Sequence, residues 1–300
     1  MGEDRIPQTR LIVAGKPLKE ILRRHALWLS GKGGERAVVV GANLCDADLR
    51  KADFRRAVLT GVSFLDSDLS QAEFTEAELN ECDFRNATLF KTDFAQSRMV
   101  GVQFQRALLA ETNFSDSTMD GVQFRDAVMR DSRLYEVRLN LCDFSYANLT
   151  GAMFLHSAFS ECCFTESILE SCNFSRSRFQ TCRFTAAKLA GANLSSAQAS
   201  DCDFRGAQLN SAKLNLSNLS QSSFCRALMA SCDLCESNLS AADFSGALLM
   251  NSYFRNANIM ATDFRGSVLE GARGLTGQQL SRSITSYSTV LPSGMRGPYL

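Results

Sequence analysis

The chain has 300 residues, with 32 basic and 32 acidic side chains, two histidines and eleven cysteines. Zero net charge and a pI near 6.7 exclude a global basic footprint for nucleic acid. No apolar run approaches the roughly 18 residues a transmembrane helix needs, so no transmembrane helix is indicated.

The N-terminus, MGEDRIPQTRLIVAGKPL, has acids early and an apolar run of only Leu11-Ile12-Val13-Ala14, which does not read as a secretory signal. Gly2 after Met1 invites a myristoylation reading, but Ile6 stands where Ser or Thr is wanted. Residues 10–14 read as a short strand ended by Gly15. Residues 17–29, PLKEILRRHALWL, read as a helix with Pro17 in its first turn and Leu18, Ile21, Leu22 and Leu29 on one face. Ser30-Gly31-Lys32-Gly33-Gly34 stops it. Residues 37–40 then read as a strand.

From residue 42 to residue 271 one rule governs the chain. A Leu or Phe falls at Leu44 and then at every fifth position to Leu269, giving 46 units without insertion or deletion. The centre is Leu, Phe, Met or Ile in all but one unit, and the exception is Ala199. Two residues before each centre stands Ala, Ser, Cys, Thr or Val. Alternation within a briefly extended segment points both of these inward and the intervening Asp or Asn outward. Glycines gather at the second position after the centre, as at Gly61, Gly101 and Gly151, where a turn uses permissive backbone. A longer period overlies the first. Centres 64, 84 and so on to 264 are all Phe; centres 49, 69 and so on to 269 are all Leu or Met. Such columns imply four units, twenty residues, per coil.

ANL at 42–44, ADL at 47–49, ADF at 52–54, ANL at 147–149, ANL at 192–194 and ADF at 242–244 resemble the A-(D/N)-L-x-x pattern of the pentapeptide-repeat family. LKEILRRHALWLSGKGGERA before the repeat and GARGLTGQQL after it are similar to flanking segments of bacterial members. The resemblance implies an all-β solenoid: a right-handed quadrilateral β-helix, here of about eleven and a half coils. At ~4.8 Å per coil this is a rod roughly 55 Å long. The expected domains are an N-terminal strand and helix cap at 1–41, the β-helix at 42–271, and a C-terminal cap and tail at 272–300. In the last, residues 275–280 read as a short helix, and the remaining tail is either extended against the rod or disordered. The helix at 17–29 is placed to cover the apolar end that a repeat stack exposes. At Ala199, Phe179 is expected to lean into the space.

No catalytic, cofactor or metal site is expected. His25 and His156 have no nucleophile or carboxylate constellation, and GKGG at 31–34 lacks P-loop spacing. Seven cysteines occupy the small-residue position interchangeably with Ala and Ser, which reads as buried free thiol in a reducing cytoplasm. Cys142, Cys162, Cys182 and Cys202 form a line rather than the converging set that zinc requires. Cys163 is outward, with no evident activator. Arg98, Arg138 and Arg178 share one column and read as a solvated charged face.

Surface recognition is the remaining function. The outward column preceding centres 49, 69 and 89 carries Leu108, Val128, Ile168, Leu228, Leu248 and Val268, and its following positions include Phe90 and Met250. Exposed apolar area marks a partner site. The expected function is a non-enzymatic scaffold presenting a rigid, rod-like face to an unidentified protein partner or to a second copy. The resemblance implies an alternative, a DNA mimic that binds DNA gyrase, and a third reading is a secreted bacterial effector. The repeat holds 21 bases against 28 acids, only weakly acidic for a DNA mimic, and its unbroken register leaves no room for projecting loops.

Overall fold

A computed structural model describes residues 5–298. The chain is an all-β solenoid with few helices. It divides into two compact units, Met1–Asn148 and Leu149–Leu300. Gly2, on which the myristoylation reading turned, lies outside the described residues.

In the first unit, β1 (Ile6–Pro7) precedes a 3-10 turn at Gln8–Arg10. β2 (Ile12–Val13) and β3 (Lys16–Pro17) form an antiparallel hairpin through Ala14 and Gly15, both at positive φ. The expected strand at 10–14 is therefore half turn, because Gly15 permits the reversal that closes the hairpin. α1 (Leu18–Leu29) follows, with Pro17 as its N-cap rather than inside its first turn. Leu18 and His25 are its buried residues. β1 pairs in parallel with β5 (Ala47–Asp48), a pairing that nothing in its sequence indicated.

The solenoid then begins at β4 (Val38–Val40). It pairs in parallel with β6 (Val58–Thr60), followed in turn by β7 (Glu78–Asn80), β8 (Arg98–Val100), β9 (Thr118–Asp120) and β10 (Arg138–Asn140). Each strand lies opposite the one twenty residues on, as the columns required. Val39 faces Leu59, so the columns start one unit earlier than Leu44. On the other sides of each turn the pairing is by single bridges, such as Asn43↔Ser63, Asp48↔Asp68 and Asp53↔Glu73.

The hydrogen bonds explain the five-residue rule. The amide of each centre donates to the next turn, as Leu49 does to the Asp68 carbonyl at 2.8 Å, and at most corners outside the three-residue strands its own carbonyl accepts from the small residue three on, as Leu49 does from Ala52 at 3.0 Å. That second bond closes a tight turn whose third residue must take positive φ. Every corner from Asp46 to Gly271 does so, and 37 of these 46 corners are not glycine. Glycine marks the corner where present, but the ladder above and below holds the conformation with any side chain.

Inside, the small residues and centres are buried, and the rings order themselves. Phe64, Phe84, Phe104, Phe124 and Phe144 stack with centroids 4.6–5.1 Å apart. A second stack runs through Phe54, Phe74, Phe94 and Phe114. The two meet edge to face, Phe104 against Phe94 at 5.7 Å and against Phe114 at 6.0 Å. Offset stacking and edge contact both satisfy the ring quadrupole, adding ~0.5–1.5 kcal/mol per pair beyond burial.

In the second unit, β11 (Ala158–Ser160) pairs with β12 (Arg178–Gln180), and the twenty-residue pairing then continues as single bridges to Tyr253↔Arg273. Three-residue strands thus occur in about seven turns of the repeat, not the eleven and a half coils expected. They stop where Ala199 replaces a large centre. Phe179 keeps its stack on Phe159, centroids 4.6 Å apart, with edge contacts to Phe174 and Phe184. The Phe164 to Phe264 column continues as a stack.

The C-terminal residues form a closing turn. α2 (Gly277–Leu280) carries a capping box, Thr276 with Gln279, and its Leu280 is buried. The tail then lies extended on the last repeat turn. Ala261, Phe264, Leu269 and Gly271 donate their amides to Arg282, Ile284, Val290 and Pro292. Donors that would end in an open edge are thereby satisfied.

Candidate interaction face

The outward column singled out from the sequence is a bridged ladder in each unit. In the first unit it runs Asp48, Asp68, Thr88, Leu108, Val128, Asn148. Leu108 is 48% exposed and Phe90, one position past its own centre, 37%; both are large apolar side chains on a solvent face, and Val128 beside Leu108 is half-buried. The Lys91 ammonium lies 4.8 Å from the Phe90 ring centroid and pairs with Glu111 at 3.3 Å. The apolar patch therefore has a charged border.

In the second unit the ladder runs Ile168, Lys188, Gln208, Leu228, Leu248, Val268. Lys188 and Gln208 separate Ile168 from the rest. Leu228 is exposed, while Leu248, Val268 and the neighbouring Met250 are half-buried. The structure adds a residue here: Val290 of the tail bridges Val268 and extends the apolar ladder. Its offset is 22 residues, outside the repeat register, so no period in the sequence could have placed it.

Some of the acids, Asp48 of the first unit's ladder among them, are neutralised locally. Asp48, Asp53, Asp83, Asp203 and Asp263 each form a bidentate pair with the arginine two residues on. The same carboxylate accepts that arginine's backbone amide, as Asp203 does from Arg205 at 3.0 Å. For Asp53, Asp83 and Asp203 burial works to raise the carboxyl pKa, but the arginine hydrogen bonds outweigh it and hold it below the ordinary value. For Asp48 and Asp263 the arginine bond is itself the largest cause of the lowering.

Arg98 and Arg138 flank Thr118 on one ladder of the first unit, and Arg178 stands on the corresponding ladder of the second, pairing with Ala158. His25 is a buried residue of α1. His156 occupies a positive-φ corner. Burial pushes the Cys82 and Cys202 thiols up to about 11 and Cys232 to about 12. Cys182 is raised by its hydrogen bond with Cys162 and by burial. Cys163 lies with its sulfur 3.2 Å from the Thr165 hydroxyl. Among the described residues no group of His, Cys, Asp or Glu side chains is arranged to hold a metal, and no helix is long and apolar enough to cross a membrane.

Two family models match. One described as "Pentapeptide repeat region" covers residues 41–114, and one described as "Pentapeptide repeats (8 copies)" matches repeatedly between residues 97 and 273. No curated protein matches the chain by sequence. Similar solved structures include a trypsin-treated form of QnrB1, a plasmid-mediated fluoroquinolone resistance protein, at 21% identity and TM-score 0.42, covering 59% of this chain and 91% of that one. HetL, a pentapeptide repeat protein involved in heterocyst differentiation regulation from the cyanobacterium Nostoc sp. strain PCC 7120, is 22% identical with TM-score 0.33, covering 95% of this chain and 99% of that one. A pentapeptide repeat protein of the Arabidopsis thaliana thylakoid lumen is 26% identical with TM-score 0.24, covering 40% of this chain and 68% of that one. At these scores the likeness does not extend to function.

Proposed function

The chain belongs to the pentapeptide-repeat family, and we propose that it is a non-enzymatic scaffold whose outward apolar ladders dock a protein partner. The observation that carries this reading is Leu108, 48% exposed beside half-buried Val128, on a ladder whose other turns carry Asp48, Asp68, Thr88 and Asn148. Burying such area against a partner is favourable by ~25 cal/mol per Å2, and nothing in the ladder's own hydrogen bonding requires leucine there. Within each unit we infer a right-handed, four-sided coil, supported by five-residue segments and the twenty-residue pairing. A reducing, cytoplasmic setting is supported by buried cysteines standing in for Ala and Ser.

The test is site-specific photo-crosslinking. A benzophenone residue at position 108 or 228, in the cell that makes this protein, is expected to capture a discrete partner, and Leu108→Asp or Leu228→Asp to abolish capture by a probe placed at the adjacent turn. Crosslinks that are diffuse, or unchanged by the aspartates, would overturn the proposal. Capture of this same chain would identify the partner as a second copy. Gyrase mimicry draws no support from the charge distribution, since five carboxylates on the outward ladders are paired with arginine on their own turn. A supercoiling assay with the purified protein is expected to show no inhibition.

A further inference from the structure

β4 is the first strand of its ladder, and one of its edges is open. In the parallel pairing with β6, residues 37, 39 and 41 of the β4 segment supply the groups that face β6: Val58 donates to the Ala37 carbonyl, and Gly41 donates to the Thr60 carbonyl. The strand alternation then turns both the N–H and the C=O of Val38 and of Val40 toward the other side. Among the described residues no backbone or side-chain group bonds them there. Their side chains are exposed to 61% and 70%, whereas Val58 and Thr60 one turn on are half-buried.

That edge forms the wall of a groove of about 600 Å3, bounded opposite by Val13 and Lys16 of the hairpin and by Glu20, Ile21 and Arg24 of α1. We propose that this groove binds an extended, acidic peptide segment of another protein, which adds itself as a strand along β4. Three observations select that occupant. The free groups come as two N–H and C=O pairs on alternate residues, the pattern an incoming strand completes with its own backbone. The groove offers Ile21 and the exposed valines to alternate side chains of such a strand, and its volume suits a segment of a few residues rather than a second folded unit. Around the rim, Arg24 is paired with Glu35, Arg36 with Glu78 and Glu20 with Arg23, which leaves Lys16 as the cation of the groove with no ion-pair partner among the described residues. An acidic side chain at that end of the peptide complements it. Open edges of this kind are ordinarily blocked in native proteins because they recruit strands; here the helix and hairpin restrict access without occupying the edge. The inference does not rest on the apolar ladders, which lie on other positions of the coil.

The test uses the full chain, 15N-labelled, and three synthetic peptides: acetyl-EVTVE-amide, the same peptide N-methylated at both valines, and acetyl-KVTVK-amide. The acidic peptide is expected to slow hydrogen exchange at the Val38 and Val40 amides at least tenfold. The N-methylated and basic peptides are expected to bind at least tenfold more weakly. Val40→Pro removes one outward N–H while leaving the Val39 bonds to β6, and it is expected to weaken the acidic peptide at least tenfold. Continued protection of the Thr60 amide would show that the fold survives in that variant. No protection by millimolar acidic peptide, or equal binding of the N-methylated peptide, overturns the proposal. Protection without peptide that rises with protein concentration also overturns it, and makes the occupant a second copy.

Discussion

The His25 ring, carried by the N-terminal helix, meets the backbone carbonyl of Arg55 in the solenoid at 2.7 Å. Its other nitrogen, Nδ1, accepts the Ala37 amide at 3.0 Å. An N–H aimed at Nδ1 requires a lone pair there, so the proton sits on Nε2 and is donated to Arg55. The ring is neutral, buried, and stacked on Trp28 with centroids 5.6 Å apart. One imidazole thus fixes the helix to both the first strand and the first turn.

Protonation would place a second N–H against the Ala37 amide. Burial is the main cause lowering the His25 pKa, with Arg36 and Arg55 nearby adding to it and Asp53 and the Arg55 carbonyl opposing. The unfolded imidazole titrates near ~6.5. Because the folded ring binds its proton more weakly, its contribution to stability is whole above that pH and declines as pH falls below it. The protection factors of the Leu18–Leu29 amides, corrected for the intrinsic exchange rate, should fall as pH drops below about 6.5. His25→Ala should abolish that pH dependence while costing about 2–4 kcal/mol, from the two groups left unpaired and the volume lost.

Phe104 sits between Phe84 and Phe124 in one stack and touches Phe94 and Phe114 edge-on. Phe104→Ala should destabilise by about 3–5 kcal/mol, read from the urea midpoint. Because the ladder hydrogen bonds on either side remain, far-ultraviolet circular dichroism below the transition should be unchanged.

Thr181 is a corner residue at φ 52. A β-branched side chain is strained in that region, and every other positive-φ corner carries glycine or an unbranched-β residue. Thr181→Asn should stabilise by about 0.5–1 kcal/mol. An unchanged or lowered thermal midpoint would show that the threonine makes a compensating contact.

The thiols should divide into two classes. Cys82, Cys142, Cys162, Cys172, Cys182, Cys202 and Cys232 are buried, and Cys45, Cys163, Cys225 and Cys235 half-buried. The thiolate is the reactive form. In native protein at pH 8, iodoacetamide should label only members of the second group, Cys235 slowly because burial raises its pKa. All eleven should react in urea. Peptide mass spectrometry separates these outcomes.

Much of this molecule is local. A five-residue rule fixes which side chain points inward, and a twenty-residue rule fixes which residue lies above which; both were legible because each turn repeats the last without insertion. The corners were legible only in part. Nine glycines marked them, yet 37 other residues adopt the same left-handed backbone, since inter-turn hydrogen bonds impose it against local preference. The candidate face was likewise a matter of period, and Phe90, Leu108 and Leu228 stand exposed where the alternation put them. What the period could not reach lay outside it. His25 and Arg55 are thirty residues apart in different elements, and Val290 joins Val268 out of register. The open edge of β4 depends on what does not pack above it. Such features are contacts between a repeat and the segments that end it. A periodic sequence determines how turns meet one another, but only the tertiary fold decides how the ends are covered, because there the chain has no next turn to dictate its partner.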